Sequence, residues 1–318
     1  MKFETHFVVI AVSFIKCFYN IWIMKFLIVG QSVVDKIQDG NNFLVKPGGI
    51  LYAAAALKSF LEIGDKLFLC TTVDKSSYSL FSLIYDEIEQ ELIEYVKLIP
   101  VVNLSMRDSG ERAETYENIS ENLKINFTNL NRFNGILINM VTGFDISIEQ
   151  MQTIRKNYKG IIYFDVHTLS RGLGKNYIRE FRPVPDFFKW AECIDILQAN
   201  NQELQTLSTK KNEPEIAEDL LNYGIKQVIV TKASDGAVVY FRMSGELRSI
   251  SRKSLNTDVV NKIGCGDVFG AVYFYNYIRN KNVNDAILYA NTAAGISTRY
   301  LEVKDFLNLK DDVRKQFN

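Results

Sequence analysis

Chemistry is concentrated in the stretch Asn261-Lys-Ile-Gly264-Cys265-Gly266-Asp267-Val-Phe-Gly270, which follows a strand-like run and opens a helical pattern. Glycines at 264 and 266 let successive backbone N–H groups turn toward one point at a helix start. There the helix dipole adds to them, and an anion is stabilised. A carboxylate at such a place would repel a resident phosphate. It makes sense if Asp267 faces an attacking hydroxyl while the N–H groups face a phosphoryl group. One loop then holds a base and an anion hole side by side. The competing reading is a glycine-rich turn with Asp267 as an ordinary helix cap. A dinucleotide fingerprint is disfavoured. Such a loop follows the first strand of a βαβ unit, whereas this one lies late, its third glycine is one residue late, and only helices follow. A G-x-x-x-x-G-K-[ST] phosphate loop occurs nowhere in the chain.

Weaker polar positions end other apolar runs. Asp165-Val-His167 closes a strand on the side where α/β sheets form their sites. Asp165 either orients a substrate or a metal-bound water, or merely closes a strand-end turn. Asn139, just before Thr142-Gly143, is a candidate to line the same cleft. His167 reads as a polar contact rather than a catalyst, and Cys265 as a small residue filling its loop.

These residues need a scaffold, and the apolar pattern supplies one. Short apolar runs at Phe26–Val29, Leu67–Thr71, Gly135–Met140, Ile161–Asp165, Ile194–Gln198 and Gln227–Thr231 read as buried strands. Helical stretches separate them: Gly49–Leu61, Ser79–Glu91, Ile148–Asn157, Asn201–Ser208 and Glu213–Asn222. That alternation predicts an α/β fold with a mainly parallel sheet covered on both faces. A hairpin follows, Ala237–Phe241 with Leu247–Ser251, and then two long helices, about Asp267–Arg279 and Val283–Thr298. Two polar segments, about 35–47 and 103–124, break the alternation and are expected to pair as a small β lid.

Composition narrows the function classes. The chain has 318 residues, 47% hydrophobic and 23% charged, which is ordinary for a soluble globular protein. Lys+Arg and Asp+Glu both number 37, so no general positive field is available for nucleic acid. The four cysteines are scattered without a C-x-x-C pair, which speaks against a disulfide framework and fits a reducing cytoplasm. Two histidines nearly exclude a His-rich metal site. The apolar run Phe7–Ile23 lacks a basic flank and a small-residue cleavage site, and Lys16, Asn20 and Lys25 interrupt it as a membrane span. Residues 1–23 are therefore expected to be an extension, with a start codon placed too early as one origin. The working domain is expected over 24–318, and no membrane partner is expected.

The late loop resembles the D-T-x-G-A-G-D signature of the ribokinase-like (PfkB) carbohydrate kinases. Three further family patterns follow in order over Met24 to about Thr298. They are Gly30, Asp35 and Gly48-Gly49; Asn200-Asn-Gln-Glu203; and Val230-Thr231-Lys-Ala-Ser-Asp-Gly236. The resemblance implies a three-layer fold with a β lid and transfer of the γ-phosphoryl group of ATP to an alcohol. It implies Asp267 as general base, with Gly264, Cys265 and Gly266 as the anion hole. Asp35, Gly48 and Gly49 match the acceptor site, joined by Asn139 and Asp165. Asn200 and Glu203 match the pair that organises Mg²⁺ and nucleotide phosphates, largely through water. Thr231, Gly236, Lys262 and Asn291 fall on the nucleotide side.

The departures are Asn261 and Lys262 where the family carries Asp and Thr, and the missing Asn after Gly48-Gly49. None touches the base or the anion hole. The expected function is therefore an ATP- and Mg²⁺-dependent, cytoplasmic kinase acting on a sugar, sugar derivative, cyclitol or nucleoside, with a homodimer through the lid as its expected assembly. The alternative is an impaired member of the same fold that binds a small molecule or regulates.

Overall fold

In the first strand, β1 (Lys25–Val29), Phe26 and Ile28 enter one buried cluster while Leu27 and Val29 enter another. A strand apolar at successive positions must be covered on both faces, and here it is. The computed structural model of the protein describes residues 23–39, 42–106, 112–174, 177–255 and 258–317. The expected extension, apart from Ile23, lies outside the described residues, as do the tip of the first lid segment and residues 107–111 of the second.

The elements then run β2 (Ser32–Asp39), β3 (Asn42–Gly49), α1 (Leu51–Phe60), β4 (Lys66–Val73), α2 (Ser82–Tyr85), β5 (Ile93–Tyr95), β6 (Val101–Met106) and β7 (Arg112–Asn118). The middle of the chain gives β8 (Gly135–Asn139), α3 (Ile148–Asn157), β9 (Ile161–Asp165), β10 (Arg171–Leu173), β11 (Arg179–Phe181), α4 (Phe187–Ala191), β12 (Ile196–Asn200) and α5 (Asn201–Leu204). The last part gives α6 (Glu213–Asn222), β13 (Gln227–Thr231), β14 (Ala237–Met243), β15 (Glu246–Arg252), α7 (Cys265–Asn280), α8 (Val283–Ser297) and α9 (Leu309–Arg314).

Nine strands form the central sheet in the order β15-β14-β13-β12-β9-β8-β1-β4-β5. All its pairings from β5 to β13 are parallel, and β14 and β15 add an antiparallel hairpin at one edge. Helices α1, α7 and α8 cover the face of Phe26 and Ile28, and α3, α4 and α6 the opposite face. The result is three layers. Parallel strands place their carboxyl ends along one edge, so Asn139, Asp165, Asn200 and Thr231 end neighbouring strands there.

A separate sheet, β3-β2-β6-β7, is the lid. It grows directly from the carboxyl end of β1 and returns into α1 through Gly49, whose φ of +66° suits only glycine without strain. A Cβ on Gly49 would also run into the carbonyl of Gln31. Against the expected segments, β2, β3 and β6 reach two or three residues further toward the root, whereas β7 stops at Asn118, short of 124.

Three expectations need correction. The helix foreseen over Ser79–Glu91 reduces to a 3₁₀ turn, Tyr78–Leu80, and the single turn α2. Past Tyr85 the chain leaves the helix because Gln90 Nε2 donates to the Tyr85 carbonyl at 2.7 Å and the Glu89 N–H joins the Leu67 carbonyl at 3.0 Å. Edge pairing with the sheet thus overrides local apolar spacing. The helix expected over Asn201–Ser208 stops at Leu204. The strand expected at Ile194–Gln198 runs instead from Ile196 to Asn200, which brings Asn200 into the sheet edge. The hairpin β10-β11 was not anticipated. It reaches the lid through a bridge between Thr115 and Ile178.

Candidate active site

The loop that opens α7 sits at the floor of a cleft of about 100 Å³, roofed by the lid. Gly264 is the helix cap, at φ +76°, and the helix begins at Cys265. Asp267 is therefore the third helical residue, not the cap. The cap position carries no side chain because a Cβ there would collide with the Tyr52 ring. The first N–H groups of any helix lack an intrahelical acceptor, and the glycine turn brings this helix start beside the Asp267 carboxylate. That pairing of a proton acceptor with an anion-stabilising helix end is what phosphoryl transfer to a hydroxyl requires.

The loop is held from three sides. Asn261 receives the Ile263 N–H on its side-chain oxygen at 3.0 Å, and its own N–H donates to the Thr298 carbonyl at 2.8 Å. A neutral Asn thus shapes the turn. From beneath, the buried Gln198 amide donates to the Gly266 carbonyl at 3.1 Å and to Asp165 Oδ2 at 3.2 Å. Its oxygen accepts the Tyr163 hydroxyl at 2.5 Å. From β8, Asn139 Nδ2 donates to Asp267 Oδ1 at 2.6 Å. Lys262, by contrast, points outward, exposed and without an ion pair among the described residues.

Opposite the loop stands Asp35 on β2, 8% exposed and lining the same cleft as Gly49, Gly264 and Asp267. Its carboxylate lies against Gly48, where a Cβ would strike both oxygens. The glycine pair therefore makes room for the acid and for the sharp turn into α1.

The remaining expected residues fall into two groups. Asn200 and Glu203 form a reciprocal capping box on α5. Asn200 Oδ1 accepts the Gln202 and Glu203 N–H groups at 2.9 Å, and Glu203 Oε2 accepts the Asn200 N–H at 2.8 Å. Thr231 lies beside Asn200 in register on β13. Gly236 and Asn291 meet at the far edge, around the Arg252 carbonyl. Asn291 Nδ2 donates to that carbonyl at 3.0 Å, and a Cβ on Gly236 would overlap it. Asp165 is buried beneath the loop and does not line the cleft.

Burial pushes the Asp267 carboxyl above the usual carboxylate range, with His167 and the Asn139 hydrogen bond opposing the shift. Burial raises Asp165 well above its ordinary value, reinforced by the negative charges of Glu203 and Asp267. Glu203 is raised by burial too, against His167 and the Asn200 N–H. His167, read earlier as a simple polar contact, thus balances two buried acids. It lines the cleft at φ +37°, with Nδ1 2.6 Å from Thr168 Oγ1. Gln198 and Tyr163 were missed altogether, since each reads as an ordinary strand residue. Glu114 and Tyr116 of β7 also line the cleft.

Residues 155–308 match the family model described as pfkB family carbohydrate kinase. The Arabidopsis thaliana ribokinase solved with ribose and ATP superposes with a TM-score of 0.67 at 16% identity, covering 90% of this chain and 98% of that one. The chain has the ribokinase fold, and the family match covers just under half of it. A pyrophosphate-dependent kinase of the ribokinase family, solved with a pyrophosphate analogue and myo-inositol, gives a TM-score of 0.69 at 16% identity over 89% of this chain and 98% of that one. A curated relative, an uncharacterized sugar kinase of Archaeoglobus fulgidus, is 29% identical over 104 residues, or 33% of this chain. The matched stretch spans 40% of that relative's length.

Proposed function

We propose that the protein is a kinase that moves the γ-phosphoryl group of ATP to a hydroxyl of a sugar, sugar derivative, cyclitol or nucleoside. The observation that carries this reading is the Asp267 carboxylate beside the glycine-turned start of α7, facing Asp35 across one cleft. Asp35 accepts hydrogen bonds from the acceptor's hydroxyls. Asp267 takes the proton of the attacking hydroxyl, held in place by Asn139. The N–H groups of Gly264, Cys265 and Gly266 face the equatorial oxygens of the group in transit. The lid above the cleft excludes water, which would otherwise compete as acceptor.

The donor lies, in this reading, along the strand ends from Glu203 past Thr231 to Gly236 and Asn291, with Lys262 free to meet a phosphate. Among the described residues no cluster of three or more His, Cys, Asp or Glu side chains could cage a metal. That suits Mg²⁺, which usually arrives on phosphates and keeps several waters. Glu203, one of whose oxygens is free of hydrogen bonds to the described residues, would hold such an ion through water. Bound Mg²⁺ would supply neutralisation of the phosphate charge.

The reading takes residues 24–318 as the working domain and places it in the cytoplasm. No helix among the described residues is long and apolar enough to cross a membrane. The free edge of the lid, β3, exposes Phe43, Leu44 and Val45, which supports a homodimer joined there.

A donor-consumption screen tests the reading. ATP, GTP and pyrophosphate are each offered with pentoses, hexoses, inositols and nucleosides, with Mg²⁺ present or chelated. Acceptor-dependent, Mg²⁺-dependent ATP consumption is expected. Consumption of pyrophosphate alone would replace the donor, and no consumption with any acceptor would remove the kinase reading.

A further inference from the structure

The inner face of the lid has a definite chemistry. Side chains alternate across a strand, and one set from each of three lid strands lines the cleft: Val33 and Asp35 from β2, Val102 and Leu104 from β6, Glu114 and Tyr116 from β7. Four of these six are apolar or aromatic, and the other two are carboxylates. The floor adds a third carboxylate, Asp267, and the apolar Val141 and Ile263. His167 is the only basic side chain among the described lining residues.

The arginines behind this wall are already engaged. Arg171 Nη1 holds Glu114 Oε1 at 2.9 Å. Arg179, 6% exposed, stacks over the Tyr116 ring at 4.6 Å. Its fork donates to the carbonyls of Thr142 and Arg171. Both therefore brace the wall, and neither lines the cleft.

An anionic acceptor entering here would meet carboxylates from above and below in a partly dry site, where like charges repel strongly. A bare polyol would leave hydroxyls against Val102, Leu104 and Tyr116 without partners, which is unfavourable for any buried polar group. An acceptor with one hydroxylated edge and one apolar face satisfies both halves.

We propose that the acceptor is an uncharged polyol carrying an apolar or aromatic substituent, of the nucleoside class. Its hydroxyls lie between Asp35 and Asp267, and its substituent lies under Val102, Leu104 and Tyr116. The proposal rests on the reading of this cleft as the acceptor site. It extends that reading by excluding sugar phosphates and sugar acids and by disfavouring unsubstituted sugars.

Donor-free calorimetry on the full chain tests it without relying on turnover. The probes are adenosine, guanosine, cytidine and uridine, with ribose, ribose 5-phosphate and the matching nucleoside 5′-monophosphates. One methylene's worth of apolar contact discriminates by about 10–200-fold. The best nucleoside is therefore expected to bind at least about tenfold tighter than ribose, and its monophosphate at least about tenfold weaker than itself. Leu104→Asn should cut nucleoside affinity by about tenfold and leave ribose within about twofold. Glu114→Gln should strengthen monophosphate binding several-fold, and it serves as the second variant if Leu104→Asn fails to fold. Ribose binding as tightly as every nucleoside, a monophosphate or ribose 5-phosphate binding more tightly than its neutral partner, or no nucleoside binding at all would each overturn the proposal. A nucleoside that binds as expected while no acceptor of any class supports donor consumption would leave this binding proposal standing and remove the kinase reading. A nucleoside that binds but is silent while a sugar or cyclitol is consumed would overturn the proposal.

Discussion

The Asn139 side-chain amide donates to Asp267 Oδ1 at 2.6 Å, while its own oxygen is buried without a hydrogen-bond partner. An ionised carboxylate can only accept, so this contact fixes which way the amide faces. Asn139 thereby orients the proposed base and helps keep it ionised, since its hydrogen bond is one of the three influences, with His167 and a backbone N–H, that hold the Asp267 carboxyl down against burial.

Asn139→Ala should therefore raise the Asp267 carboxyl further. A base must be deprotonated to act, so activity is lost as pH falls through its pKa. The acid limb of the kcat–pH profile is expected to move to higher pH, with kcat at its plateau reduced by about tenfold or more as the carboxylate loses its fixed geometry. An unmoved acid limb, measured with a substrate pair that turns over, would detach Asn139 from the base.

The buried acids also set how stability depends on pH. Asp165, Glu203 and Asp267 are all raised in the folded state, chiefly by burial. The folded protein then binds more protons than the unfolded chain between the ordinary carboxylate value and the raised one. Stability falls as pH climbs through that window. Asp165→Asn removes the group with the strongest shift and keeps an oxygen that can accept from Gln198. Ligand-free Asp165→Asn is expected to melt higher than the parent near neutral pH, with a flatter dependence of melting temperature on pH. Equal slopes for the two proteins between about pH 5 and 8 would show that Asp165 is not a buried acid under strain.

Gln198 is expected to act as a positioning residue for the anion hole. It ties the Gly266 carbonyl to the end of the sheet, and glycine at 270 leaves its oxygen room, since a Cβ there would come within 2.8 Å. Gln198→Met keeps the volume and removes both donated hydrogen bonds. Loss of partners for buried polar groups costs about 1–3 kcal/mol, so the melting temperature should drop. A displaced helix start should also lower kcat by about 10–100-fold with little change in the acceptor KM. A drop in stability with kcat intact would make Gln198 a core residue only.

The parts that were legible in the sequence are those written in local pattern. Continuous apolar runs such as Gln227–Thr231 declare a doubly covered strand, and paired glycines such as Gly48-Gly49 declare a place where backbone and side chain crowd. Asp267 stood out in the sequence because Gly264 and Gly266 place it at a helix start. The network beneath it was not. Gln198 and Gly266 lie 68 residues apart, and nothing local in Ile-Leu-Gln-Ala-Asn distinguishes a structural amide from a strand-end polar residue. The lid's inner chemistry was equally hidden. Glu114 and Tyr116 take their meaning from which face β7 turns inward, and that depends on its pairing with β6. The segment after Tyr78 misled in the other direction, because helical spacing of apolar residues persists where sheet-edge pairing wins.

Asp267 carries the last prediction, because its position in α7 separates two explanations of the same residue. It is the third helical residue, behind a glycine cap, so its carboxylate is not needed to close the helix. Its burial raises its pKa, which means the charged form is unfavourable to the ligand-free fold. Asp267→Asn keeps the size and a hydrogen-bonding partner for Asn139 while removing the proton acceptor. The variant should be at least as stable as the parent at neutral pH. Its kcat should fall by about 10²–10⁴-fold, the usual contribution of a general base, with donor affinity nearly unchanged. Melting temperature and kcat measured on one preparation decide the matter. A stable Asp267→Asn protein with full activity would mean that the proton goes elsewhere and that this carboxylate is not the base.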